Sequence, residues 1–152
     1  MIIRLLTLHL ILLFFPSVPT RGTVQSNVSE DLWSLFERVP FKEKLSRDLG
    51  MYFFYPEFTK ELMLLKGREV TLKGFYIPLD MQINHTLILS KYPMAECFFC
   101  GAAGPESVAV VYLKSKAPRM KMDQIVEVRG ILDLNGTDVE EMTFIIRNAE
   151  II

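Results

Sequence analysis

Apolar residues follow three successive rhythms along this chain. Residues 5–15 form an apolar run behind a lone Arg4, and Pro16 ends it. Over residues 27–39 the spacing becomes helical. Leu32, Leu35, Phe36 and Val39 fall three or four apart, with Trp33 beside them as a core anchor. Ser29 suits the N-cap, Glu30 and Asp31 suit the positive first turn, and Pro40 stops the helix. Residues 56–66 predict a second short helix, with Pro56 at its start, Glu57 in its first turn and Gly67 as its C-terminal cap. Between the two helices the rhythm is lost. Gly50 marks a break, and the consecutive aromatics Tyr52, Phe53, Phe54 and Tyr55 cannot all face one side of a strand. We expect an extended stretch packed across the domain, with a recognition surface as the alternative.

From residue 69 the pattern is that of strands. Runs at 69–79, 86–90, 108–113, 125–134 and 142–152 are rich in Val, Ile, Thr, Phe and Tyr and are separated by turn signals such as Asn135-Gly136. Residues 114–124, between the third and fourth, make a basic connector too short for a long helix. The first and fourth runs echo each other: EVTLKGFY and IVEVRGIL each carry a basic residue and then glycine, at Gly74 and Gly130. Glycine inside a strand marks a bulge or sharp bend. Five strands with bends in the first and fourth predict a mainly β protein. Its core is a small five-stranded Greek-key barrel of the OB (oligonucleotide/oligosaccharide-binding) type, with two short N-terminal helices packed on it.

The opening run is laid out as a secretory signal peptide and is short for a membrane span, which needs about 20 apolar residues. The expected organisation is a signal over 1–22, a helical segment over 23–67 and the barrel over 68–152. Such a protein would be periplasmic or secreted, with no stable span after cleavage and no cysteine near the cut to carry a lipid. Removing 1–22 takes Arg4 and Arg21 from the 17 basic residues and leaves 15 against 18 acidic, a net charge of −3. A mildly acidic exported domain is a poor match for nucleic acid, which is bound through a basic face. The 152 residues suffice for one domain.

Candidate chemistry is concentrated in AECFFCGAAGPES, residues 95–107, which hold both cysteines, Cys97 and Cys100. C-x-x-C-G is the shape of a zinc knuckle: two thiolates can face one ion, and glycine permits the tight turn. Thiolate and imidazole suit Zn²⁺ or Cu(I). His85 and a flanking carboxylate, Glu96 or Glu106, could complete a site, as could a second copy of the knuckle across a homodimer dyad. A short disulfide between Cys97 and Cys100 is the structural alternative. Redox exchange is the third reading, although no βαβ context or nearby base supports it, and Phe98 and Phe99 disfavour a thiolate. GAAGPES has no lysine and no helix behind it, so it is not a phosphate loop. No nucleophile–base–acid constellation is present, and the expected role is binding rather than catalysis. A glycan or peptide could instead lie across strands two and three, flanked by the loops at 80–84 and 135–141.

The segments YPEFTKELMLLKGREVTLKGFYIPLD, LILSKYPMAECFFCGAAGPES and VEVRGILDLN resemble an exported bacterial family catalogued as domain of unknown function 3299. C-x-x-C-G-x-x-G-P-E is similar to its Bacteroidetes variant. The resemblance covers residues 30–152 and implies an OB-like fold. Some members are encoded beside export or metal-related transport systems, which implies an accessory role in metal handling or with an envelope transporter. Other branches place histidine close behind a cysteine; here Cys100 stands in the motif with no adjacent histidine.

Overall fold

The computed structural model describes residues 31–47, 50–79 and 85–152. The expected signal peptide and the loop at 80–84 lie outside them. Among the described residues no helix is long and apolar enough to cross a membrane.

The chain runs through α1 (Leu32–Phe36), β1 (Phe41–Ser46), β2 (Met51–Pro56), α2 (Lys60–Leu65), β3 (Glu69–Ile77), β4 (Thr86–Ser90), β5 (Val108–Leu113), β6 (Ile125–Leu134) and β7 (Phe144–Ile151). The last five strands close into a barrel in the order β3-β4-β5-β7-β6. Only β5 and β7 pair in parallel. This is the OB arrangement that the strand spacing predicts, with the middle three strands at the expected bounds. The first strand stops at Ile77, before Pro78, and the last begins at Phe144.

Both bend glycines sit where a backbone needs room. β3 pairs with β6 up to Phe75 and with β4 from Phe75 onward, so Gly74 stands at the change of partner. A Cβ there would lie 2.7 Å from the Ser90 carbonyl oxygen and 3.1 Å from the Trp33 ring. At Gly130 the β6–β7 register slips. β7 accommodates the slip by a bulge with Asn148 at φ 51°, and a Cβ on Gly130 would meet the Arg147 carbonyl oxygen at 2.7 Å.

The barrel interior and α1 form one core. Leu32, Trp33, Leu35 and Phe36 pack with Leu72, Leu87, Leu89, Val111, Val128, Leu132, Phe144 and Ile146. The Phe36 and Phe144 rings stack at 3.9 Å, and Trp33 Nε1 donates to the Lys73 carbonyl oxygen at 2.7 Å. The helix is shorter than its apolar stripe suggests. Its N-cap is Asp31, whose carboxylate accepts from the Trp33 amide, so Asp31 precedes the first turn in which it was expected. The second helix likewise starts late. Thr59 caps it by accepting from the Leu62 amide, and Pro56 instead ends β2 opposite Phe41. The C-cap of α2 is Lys66; Gly67, expected there, follows it at φ 77° and its amide donates to the Leu132 carbonyl oxygen.

Residues 41–56 differ most from expectation. They pair with themselves as a two-stranded antiparallel ribbon outside the barrel sheet. Phe41 anchors its base 6.5 Å from Phe144, ring to ring. Leu45, Met51, Tyr52 and Phe54 are half to two-thirds exposed. The extended conformation is as read; packing across the domain is not, because each strand takes its hydrogen bonds from the other rather than from the barrel.

Candidate functional site at the cysteine turn

Alternate residues of a strand face opposite sides of the sheet. Leu87, Leu89, Ala109 and Val111 face inward, so Ile88 and Val110, paired across β4 and β5, face outward. Yet nearly every residue of both strands is buried. The outer cover comes from the connection between them. Ile77, Ile88, Val110 and Ile145 form a second apolar cluster with Cys97, and Met94, Met142 and Tyr112 pack at its margin. The thiol-bearing segment therefore folds back over the barrel face that OB proteins use for ligands.

That segment is a chain of short 3-10 turns: Met94–Glu96, Phe98–Cys100 and Pro105–Ser107. Pro93 leads in, Gly101 closes the second turn in the left-handed region at φ 74°, and Pro105 opens the third. The Met94 amide donates to Asp123 Oδ1 at 2.7 Å, which ties the first turn to the connector before β6. The Lys91 amide donates to the Ser107 carbonyl oxygen at 2.9 Å, clamping the loop at its neck. Lys91 also pairs with Glu37 beside α1, which holds its pKa above the ordinary lysine value.

The two thiols are free and differ in setting. Cys97 is buried and Cys100 exposed. Cys97 Sγ lies 4.0 Å from Met94 Sδ. Cys100 Sγ donates to the Met94 carbonyl oxygen at 2.8 Å. The Cys100 pKa is raised above the ordinary thiol value, first by desolvation against the turn and then by the charge and hydrogen bond of the Cys97 thiol. Phe98 and Phe99, in edge contact at 5.5 Å, keep this stretch apolar, as the sequence suggests.

His85 is exposed and precedes β4, at the opposite end of that strand from the turn; its carbonyl oxygen accepts from the Leu113 amide at 2.8 Å. Glu96 is exposed and Glu106 half-buried. Among the described residues, no three or more His, Cys, Asp and Glu side chains are gathered as a metal cluster. The residue that sequence reasoning misses is Met94, which touches both cysteines. The spacing M-x-x-C-x-x-C is its only signal. Also unforeseen is a polar network beside the apolar cluster. Arg147 bridges Asp133 at 2.8 Å and Glu141 at 3.1 Å, and the Tyr112 hydroxyl donates to Glu141 at 3.0 Å. The expected ligand loop at 135–141 is held by Asn135, whose side chain accepts from the Thr137 and Asp138 amides and donates to the Asp138 and Glu141 carbonyl oxygens.

No protein-family model matches the chain, and no curated protein matches it. Its structure is similar to the crystal structure of a DUF3299 family protein from Pseudomonas aeruginosa. The likeness has a TM-score of 0.45 and 15% identity over 64% of this chain and 67% of that one.

Proposed function

We propose that this is an exported accessory protein that takes up a soft metal ion, zinc or copper, through Cys97 and Cys100. An envelope transporter or another exported protein would be its partner. The observation that carries this reading is the position of the pair: two free thiols of one turn, over the outer face of β4 and β5, one buried and one open to solvent. A buried thiol anchors an ion while an exposed one can exchange it. His85, at the far end of β4, does not reach the turn, so a second copy of the turn in a homodimer would supply the further ligands for zinc.

The test is titration of the mature protein with Zn²⁺ and Cu(I), followed by native mass spectrometry. One ion per turn, lost on Cys97→Ser or Cys100→Ser, supports the reading. Metal-free protein whose stability is unchanged by chelator sinks it. Retention on His85→Ala separates a site without imidazole from one that uses it.

The second reading is an OB-type binding module for a glycan, peptide or protein, with Cys97 and Cys100 joined as a structural staple. The exposed apolar ribbon at Leu45, Met51, Tyr52 and Phe54 favours it, since such side chains are characteristic of contact surfaces. Amide shifts that respond to cell-envelope glycans or peptides, and not to metal, would select it.

A further inference from the structure

Met94, Cys97 and Cys100 occupy successive corners of two linked turns. The Cys97 amide donates to the Met94 carbonyl oxygen at 3.4 Å, and the Cys100 amide to the Cys97 carbonyl oxygen at 3.1 Å. Turns with three-residue spacing bring side chains at i and i+3 to one side. Here Cys97, extended at φ −82° and ψ 173°, breaks the run between the two turns, yet the same spacing sets three sulfur-bearing residues on one short segment. The Met94 thioether already touches the Cys97 thiol at 4.0 Å. Metal–sulfur bonds of roughly 2.3 Å set neighbouring sulfurs about 4.0 Å apart around a trigonal ion. The Met94–Cys97 edge of such a triangle therefore needs no rearrangement. Cys100 Sγ donates to the Met94 carbonyl oxygen at 2.8 Å.

The donor set selects the metal. A structural zinc takes four ligands from Cys, His and carboxylate, and no cluster of three such residues exists among those described. Thioether is soft and uncharged, and with two thiolates it suits Cu(I). The cluster of Ile77, Ile88, Val110 and Ile145 beneath Cys97 keeps water from the inner side of that position. Building on the metal-handling reading, we propose that Met94 is the third ligand of the turn, and that a trigonal Met-Cys-Cys sulfur site makes it selective for Cu(I) over Zn²⁺.

The test measures Cu(I) affinity by competition with a chromophoric Cu(I) chelator, for the wild-type mature chain, Met94→Leu and the double variant Cys97→Ser/Cys100→Ser. Leucine keeps the bulk of methionine and removes the sulfur. The proposal expects Met94→Leu to weaken Cu(I) by more than the roughly tenfold that loss of even an outer-shell group costs, with Zn²⁺ affinity and melting temperature unchanged. X-ray absorption on the wild-type Cu(I) protein should count three sulfur neighbours, a result independent of whether the variant folds. Two sulfur neighbours, or Cu(I) affinity in Met94→Leu within about twofold of wild type, overturns the role of Met94 and leaves a two-thiol metal site standing. Failure of the wild type to bind either ion overturns the metal reading itself.

Discussion

Leu87, Leu89, Ala109 and Val111 point from β4 and β5 into the barrel, while Ile88 and Val110 on the same strands point out. Both sets are buried, but different material covers them. The inner set meets α1, Phe36 and Phe144, a cover of aromatic and aliphatic bulk drawn from distant parts of the chain. The outer set meets Cys97 of the turn, with Met94, Phe75, Leu79, Tyr112 and Met142 at the margin. Inside, size and apolarity are the whole requirement. Outside, a valine would pack as well as Cys97, so packing alone does not account for the residue type. The comparison separates a face built for stability from one built around sulfur, and it can be tested from both sides.

The largest effect should come from the inner face. Phe36 is fully buried and stacked on Phe144. Phe36→Ala should cost about 3–5 kcal/mol, the range for truncating a buried aromatic. Urea unfolding followed by Trp33 fluorescence measures it. A loss near that of a surface substitution would mean that α1 is only appended to the barrel.

The outer face should respond by residue chemistry rather than size. Cys97→Ser places a hydroxyl among Ile77, Ile88, Val110 and Ile145 and should destabilise by about 1–3 kcal/mol, the penalty of an unpartnered buried polar group. Cys97→Val should stay within about 1.5 kcal/mol of wild type, as volume-conserving swaps do, and should abolish the metal binding proposed for the turn. Equal loss of stability in both variants would mean that Cys97 is held by a specific contact of its sulfur rather than by apolar packing.

The two faces were also unequally legible in the sequence. Runs rich in Val, Ile, Thr, Phe and Tyr between turn signals located the strands, and the glycines at 74 and 130 marked the bends, because a bent strand in a small barrel has few other ways to turn. Periodicity does not say whether the second face of a short apolar strand is covered, so the outer burial of β4 and β5 could not be read. Met94 was invisible for a related reason: methionine in a loop is bland until two 3-10 turns bring it against Cys97. The ribbon at 41–56 was missed because its aromatics have no period, and only pairing assigns them to faces. Thr59 and Asp31 were overlooked as caps because Pro56 and Ser29 offered earlier helix starts.

A smaller effect belongs to the polar network that borders the outer cluster. Arg147, by its hydrogen bond to Asp133, is the main cause of a carboxyl pKa below the ordinary value; burial opposes it, and Lys66 adds to it. A depressed folded-state pKa means that the stabilisation is present above the unfolded value, near 4, and is lost as pH falls through the folded one. Both side chains are about a third exposed or more, so solvent screening limits the pair. Asp133→Asn should cost roughly 0.5–1 kcal/mol at neutral pH. The difference from wild type should vanish in acid titration below the depressed pKa. A difference that persists there would assign the effect to packing instead of charge.

The smallest expected change is at Cys100. Its thiol is exposed and its proton bonds a backbone carbonyl that also receives the Cys97 amide, so Cys100→Ser should leave the melting temperature at neutral pH unmoved. The pH dependence carries the information. A thiol whose pKa is raised in the fold, by desolvation first and by Cys97 next, keeps its proton where the unfolded chain has lost it. Its stabilising share is therefore complete below the unfolded thiol value, about 8.5, and declines as pH rises through the folded one. Wild type and Cys100→Ser should match near pH 7 and diverge only in alkali, with wild type losing stability. Alkylation should report the same ordering: one thiol per native chain reacts, slowly at neutral pH and faster in alkali, and Cys97 reacts only on unfolding. Rapid labelling of both thiols at pH 7 would mean that the turn lifts from the outer face, and the contrast between a sealed inside and a capped outside would fail at that point.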